Sequence, residues 1–332
     1  MSPAAMTGRR VSAKRCHARN RTRASAATAV ACDPCCSPVR NSSSKSDLHN
    51  SGCAAQHDPT GTTTSDRSAN AAAGQVSTAA AEVYEKFFVP ALFNQFVGPM
   101  LDAVDPGDGD RLLDIGTGTG VVARAALRRV GTAGSVVAVD PNDGMLAVAA
   151  RLAPELDIRP GAAENLPIGD DEIDCVTCQF ALMFFNDRVR AISEMARVTR
   201  PGGRVAVGTW ADVEESPGYA AMVDLLGEEI GDWAAEAMRA PFCIGTAEAL
   251  AGLLRASFPD VRVARHDGQA QFGSLQEWMH TDIRGWTLAD HVDDEQYDRL
   301  LGRARISLSR FVAGDGTVRF PAPALIATAT VT

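Results

Sequence analysis

Five short apolar runs, RLLDI, SVVAVD, LDIRP, EIDCVTCQF and GRVAVGTW, lie between residues 111 and 210, with helical patterns spaced among them. The helical stretches are 119–130, with Val121, Val122, Ala125 and Leu127 apolar, PNDGMLAVAARLA, and 187–199, with Val189, Ile192, Met195 and Val198 read as one face. Strands that alternate with helices must run parallel and be joined by right-handed crossovers, which predicts a doubly wound α/β sheet. Upstream, residues 79–104 read as one or two amphipathic helices, with Phe87, Phe88, Leu92, Phe93 and Phe96 clustered and Pro90 marking a break. After Trp210 helical patterns run from Gly218 to Phe258, then DVRVARHDG reads as a strand. A helical block spans Ser274–Phe311, and GTVRFPAPALIATATV closes the chain as strand material. The last two strands are expected to pair at the end of the sheet, with residues 274–311 inserted between them as a helical cover.

The chain has 332 residues and 45% hydrophobic content, enough for one large core and an extension. Residues 1–75 read as another material: basic, rich in Ser and Ala, without apolar periodicity, and so expected to be disordered. Ten Lys and Arg against four Asp in residues 1–70 leave −15 of the formal −9 on the remainder. That acidic remainder shows no basic patch for nucleic acid. No apolar run in the sequence reaches the length of a membrane span. Five of the eight cysteines precede residue 54, and CDPCC (32–36) has no second ligand cluster at zinc-like spacing, so no metal is expected. Cys175, Cys178 and Cys243 read as ordinary buried thiols of a cytoplasmic protein. The basic tail has the composition of a transit peptide. The chain as a whole has three Lys against twenty-nine Arg, so the tail equally suits a gene start placed too far upstream in a GC-rich genome, and both readings stand.

The segment LLDIGTGTGVVARAALRRV places Gly116, Gly118 and Gly120 between a strand and a helix. Such a turn permits backbone angles barred to other residues, brings a ligand against the main chain, and aims helix N–H groups at it. The next strand ends in Asp140, about 20 residues on, where a carboxylate accepts hydrogen bonds from ribose hydroxyls. Two nucleotides compete. GTGVVA, from Gly118, fits the dinucleotide pattern G-x-G-x-x-G/A. Against it stands Asp114, an acid inside the strand, which suits a ligand with an amino group better than a pyrophosphate.

LLDIGTGTG, VVAVDPNDGML, GAAENLP and RPGGR together resemble the class I S-adenosylmethionine-dependent methyltransferases, in particular the broad group that includes the quinone-biosynthesis methyltransferases. The resemblance spans residues 80–210, with weaker similarity to the end. It implies a seven-stranded, mostly parallel Rossmann-like sheet within a domain of residues 76–332, with an N-terminal helical extension and a helical insertion before the last strand. It implies S-adenosyl-L-methionine as cofactor, cradled by Asp114, Gly116, Thr117, Gly118 and Gly120. Asp140 becomes the ribose acid, Met145 a wall for the adenine beside Pro141, and Ala163 a backbone donor to the adenine edge next to Glu164. Tyr84, Gln179 and Phe180 complete the set. Many relatives carry Asp where this chain has Ala162, so one hold on the adenine amino group is missing.

Methyl transfer from a sulfonium is an in-line displacement with an activated leaving group, so position and dryness matter more than acid–base groups. A base is needed only when the nucleophile must lose a proton. The D/N-P-P-Y/F motif of methylases acting on amino groups of bases or glutamine is absent at CQFALMFFND, which argues against a nucleic-acid or protein-amide substrate. Trp210, Tyr219, Phe242, Phe272, Trp278, Met279 and Trp286 supply rings and apolar bulk for the pocket of a small-molecule acceptor. His280 is the candidate base, one helical turn from Arg284. The acceptor atom and the oligomeric state are left open. Two other classes remain: an NAD-dependent oxidoreductase, for which no Tyr-x-x-x-Lys pair is present, and a non-catalytic binding module on the same fold.

Overall fold

In the computed structural model, residues 77–285, 288–289 and 291–332 are described, all within a compact unit of residues 60–332. The tail of residues 1–75, its CDPCC cysteines and Trp286 lie outside them; of the three cysteines within, Cys175 and Cys178 are buried as expected, while Cys243 is exposed.

The five predicted parallel strands are β1 (Arg111–Ile115), β2 (Ser135–Asp140), β3 (Asp157–Pro160), β4 (Ile173–Gln179) and β5 (Thr199–Trp210). Two more, β6 (Val261–His266) and β9 (Ala324–Thr330), complete a sheet of order β3-β2-β1-β4-β5-β9-β6. Only β9 runs antiparallel, paired with β5 on one side and β6 on the other. The chain winds outward from β1 through β2 to β3, then returns to β4 and β5 on the other side of β1. The crevice left between β1 and β4 at their carboxyl ends is where an open α/β sheet takes its ligand.

Alternate strand residues face opposite layers, and both layers are dry, as parallel strands require. Leu112, Val136, Cys175, Ala206 and Ile326 meet α2 (Val97–Val104) and α3 (Val121–Val130). Leu113, Val137, Val176 and Val205 face the other core, which includes α5 (Arg188–Val198) and α8 (Ala247–Leu254). The remaining helices are α1 (Thr78–Val83), α4 (Asp143–Leu152), α6 (Pro217–Glu229), α7 (Asp232–Arg239), α9 (Leu275–Arg284) and α10 (Asp294–Ser307).

Four expectations change. The face of α5 is Ala191, Ile192, Glu194, Met195 and Val198, while Val189 is 54% exposed. Glu194 takes the inward place because its carboxylate receives the Leu166 N–H at 2.9 Å and pairs with Arg197 at 2.6 Å. Residues 78–104 form one continuous helical path in which Pro90 breaks nothing. Tyr84–Phe93 winds as a π-helical segment of ten residues. A wider turn accommodates a residue that has no N–H and whose ring would strike an α-helical carbonyl. By length and composition this path, Thr78–Val104, also reaches that of a membrane-crossing helix, although 56% of its apolar window is buried in the fold. Finally, the terminal strand material is two strands. β8 (Val318–Pro321) leaves the main sheet to pair with β7 (Gln269–Phe272), a short strand the sequence did not signal. Pro321 ends β8, and Pro323 stands between β8 and β9.

Candidate active site

The glycine turn sits at the carboxyl end of β1. Gly116, Gly118 and Gly120 all have left-handed φ, of 64°, 54° and 82°. A Cβ on Gly116 would lie 2.4 Å from the Cβ of Ala181, so the turn closes against the end of β4 only with glycine there. A Cβ on Gly118 would meet nothing nearer than Tyr84, at 3.9 Å. Gly120 precedes the first turn of α3, which no side chain caps.

Asp114 braces the turn from beneath. It is 2% exposed, and its two oxygens accept hydrogen bonds from the hydroxyls of Thr117 (2.7 Å) and Thr177 (2.8 Å). Burial pushes its carboxyl up to about 6 against the pull of those hydroxyls. Asp140, at the end of β2, accepts the Gly118 N–H at 2.9 Å through one oxygen and the Asn142 N–H at 2.9 Å through the other. Burial raises its pKa, and the two N–H donors oppose the rise. Asn142 caps α4 by accepting from the Met145 N–H at 2.8 Å.

These groups open onto a cavity of ≈ 350 Å³. Of the residues singled out from the sequence, Tyr84, Gly116, Gly118, Asp140, Pro141, Met145, Ala163, Glu164 and Phe180 line it, as does Trp210. Asp114, Thr117, Gly120 and Gln179 lie in the layer behind. Gln179 reaches from β4 to the Phe93 carbonyl at 3.5 Å, and its Oε1 is buried without a partner. Burial, and then the Asp140 carboxylate, hold the Tyr84 phenol well above its ordinary pKa, so it is a neutral hydroxyl.

The sequence reading missed Phe93, Phe184, Phe185 and Asn186 as lining residues. The last three follow β4 in CQFALMFFND, where consecutive apolar residues gave no periodicity to separate wall from core. Ala162, where many relatives carry an acid, also lines the cavity.

The helical block does not. No described residue of 274–311 lines the cavity. The side chain of Trp278 is fully buried among Phe272, Phe311 and Phe320, and His280 is exposed on the opposite face of α9. Amphipathicity decides this: α9 buries Trp278, Met279, Thr281, Asp282 and Ile283 and leaves its polar residues outside. Arg284 bonds the Val292 carbonyl at 2.7 Å and pairs with Asp294. The His280 base and the cover over the site are therefore corrected. The C-terminal end of α9 instead backs the π-helical segment, since a Cβ on Gly285 would stand 3.2 Å from Phe88 and Val83. Tyr219, Phe242, Phe272 and Met279 likewise lie in the core rather than in the cavity wall. Among the described residues no cluster of three or more His, Cys, Asp or Glu is arranged to hold a metal.

The methyltransferase domain family matches residues 113–207, the span from β1 to β5 that builds this crevice. Over 116 residues the chain is 39% identical to a demethylmenaquinone methyltransferase of Renibacterium salmoninarum, covering 34% of this chain and 46% of that protein. The chain thus spans about half the length of the curated relatives it matches. Among solved structures, the YcgJ protein of Bacillus subtilis superposes with a TM-score of 0.50 at 19% identity, over 72% of this chain and 99% of that one. A phosphoethanolamine N-methyltransferase of Haemonchus contortus, solved with S-adenosyl-L-methionine, does so with a TM-score of 0.50 at 19% identity, over 77% and 58%. Residues 113–207 of this chain match the methyltransferase domain family, and the chain shares its fold with these solved structures.

Proposed function

We propose that the chain transfers the methyl group of S-adenosylmethionine to a small-molecule acceptor. The observation that carries this reading is the cradle itself: left-handed glycines at the end of β1, with a buried Asp140 carboxylate one strand away, opening onto one cavity. The donor set fits a nucleoside bearing a cationic amino-acid arm. Asp140 holds the ribose hydroxyls, Met145 and Pro141 wall the base, and the backbone of Ala162 and Ala163 meets its edge. Bound S-adenosylmethionine supplies an electrophilic methyl group on a good leaving group. The chain's residues hold the two reactants in line and exclude water, which is most of what such a displacement requires. None of the described histidines lines the cavity, so turnover draws on an acceptor that is nucleophilic without a protein imidazole.

The test is incubation with methyl-labelled donor and a panel of phenols, enols and amines. The reading expects acceptor-dependent label transfer above acceptor-free controls. It is contradicted if no donor binds and a nicotinamide cofactor is turned over instead.

A further inference from the structure

A second cavity, of ≈ 390 Å³, lies in the groove between α2 and α3 and shares no lining residue with the first. Its apolar part is Val97 and Leu101 from α2, with Val121 and Ala125 from α3. Its charged part is cationic throughout. Arg124, Arg128 and Arg129 line it, and no carboxylate does, on a part of the chain that is otherwise strongly acidic.

Two of the three guanidinium groups are held in place from outside the groove. Arg124 stands in the first turn of α3, where its backbone N–H donates to the Gly120 carbonyl at 2.8 Å. That is the positive end of the helix dipole, where a cation is disfavoured. Glu85, from the π-helical segment, offsets this by accepting from Arg124 Nη2 at 2.8 Å. Arg129 donates from Nη2 to Asp102 at 2.6 Å. Each carboxylate takes one nitrogen of a fork that carries five N–H groups, so each arginine keeps further donors for an anion. Both side chains have also lost in advance some of the freedom that binding would cost them. Arg128 is exposed and has no ion pair among the described residues. The dipole favours cations at Arg128 and Arg129, in the last turn of α3, but it accounts neither for Arg124 nor for the space beside all three.

That space is left open by Gly98, in the first turn of α2. Glycine is among the poorest helix formers. A Cβ there would meet nothing within 4 Å, so packing does not require its absence.

We infer that the groove between α2 and α3 is a second ligand site, which takes a small amphipathic carboxylate. The three guanidinium groups, less Glu85 and Asp102, leave one positive charge, which matches a monoanionic carboxylate better than a phosphate dianion. Guanidinium groups receive a carboxylate through paired, charge-assisted bonds. The four apolar residues and the arginine stems take a short hydrocarbon body. The site is independent of the methyl-donor reading, since the two cavities have separate walls.

The test is titration calorimetry of the full chain with hexanoate, acetate, hexylammonium and hexyl phosphate. Hexanoate should bind at one site, about tenfold more tightly than acetate, the factor that burying two methylenes supplies. It should bind at least as far ahead of hexylammonium, and hexyl phosphate should not exceed it by more than about threefold. Arg128→Gln should weaken hexanoate about fivefold, a modest loss because an exposed charge is screened. Arg128→Lys should keep most of the affinity. Gly98→Glu, which brings a carboxylate into the groove, should weaken it about tenfold or more. The melting temperature and the affinity for S-adenosylhomocysteine should be nearly unchanged in all three variants. No saturable binding of hexanoate, equal binding of acetate or hexylammonium, or an affinity that survives either Arg128→Gln or Gly98→Glu overturns the site. Hexyl phosphate binding beyond that limit overturns the carboxylate head. Failure of the unaltered chain to bind S-adenosylhomocysteine would overturn the donor reading and leave the groove standing.

Discussion

Asp140 is buried, carries two backbone N–H donors, and still borders the cavity. In Asp140→Ala the ribose would lose charge-assisted bonds worth about 1.5–3 kcal/mol each. Donor affinity should fall at least tenfold, or about 1.4 kcal/mol, by titration calorimetry. Gly116 makes a different prediction, about stability. Gly116→Ala places a Cβ 2.4 Å from that of Ala181 and holds alanine at φ 64°. The left-handed angle alone costs about 1–2 kcal/mol. The melting temperature should drop by several degrees, and adding Ala181→Gly should recover the clash but not the angle. Both positions were legible in the sequence because their roles are local: a glycine between strand and helix, and an acid at the next strand's end. Phe93, Phe184 and Phe185 were not, since whether an apolar ring faces core or cavity depends on partners distant in the chain.

Among the elements, α9 separates what periodicity reveals from what it leaves out. Ser274 caps it, accepting from the Glu277 N–H at 3.0 Å, so its start falls where the pattern put it, while the block expected to run to Phe311 is two helices, α9 and α10. What the pattern could not give is the neighbour of each face. His280 is on the solvent side, so His280→Ala should leave turnover and donor affinity within twofold of the unaltered chain in a labelled-methyl assay. The inner face carries Asp282, 4% exposed. The Trp278 indole and Tyr219 hydroxyl face its carboxyl, although Trp278 Nε1 and Asp282 Oδ2 fall short of full hydrogen-bond geometry. Burial pushes this carboxyl from 3.8 up to about 8. The fold thus keeps a proton that the unfolded chain releases, and the stability this contributes is full below about pH 4 and is lost as pH rises to about 8. Asp282→Asn removes that dependence. Its melting temperature should gain on the unaltered chain progressively between pH 5 and pH 8, and a constant difference across that range would contradict the buried neutral acid. The π-helical turn of Tyr84–Phe93 was equally hidden, because Pro90 signals only that an α-helix cannot continue unchanged.

At the scale of the whole molecule, the alternation of strand and helix patterns was sufficient for a doubly wound sheet, and the glycine turn located its crevice. The region after Trp210 was less legible. Its rings read as a substrate pocket, yet Tyr219, Phe272, Trp278 and Phe320 pack on one another behind the cavity wall. Long-range pairings such as β7 with β8 leave no local signal when each strand has only four residues. The C-terminal part thus acts as a buttress for the π-helical segment and β5, and the cavity is built by residues 84–210. Whether this cavity takes a methyl donor rather than a dinucleotide is decided by titration calorimetry of the full chain with each ligand. Saturable binding of S-adenosylmethionine is expected at one site per chain, weakened at least tenfold by Asp140→Ala, with no heat from NAD. Tight binding of NAD with none of S-adenosylmethionine would contradict it.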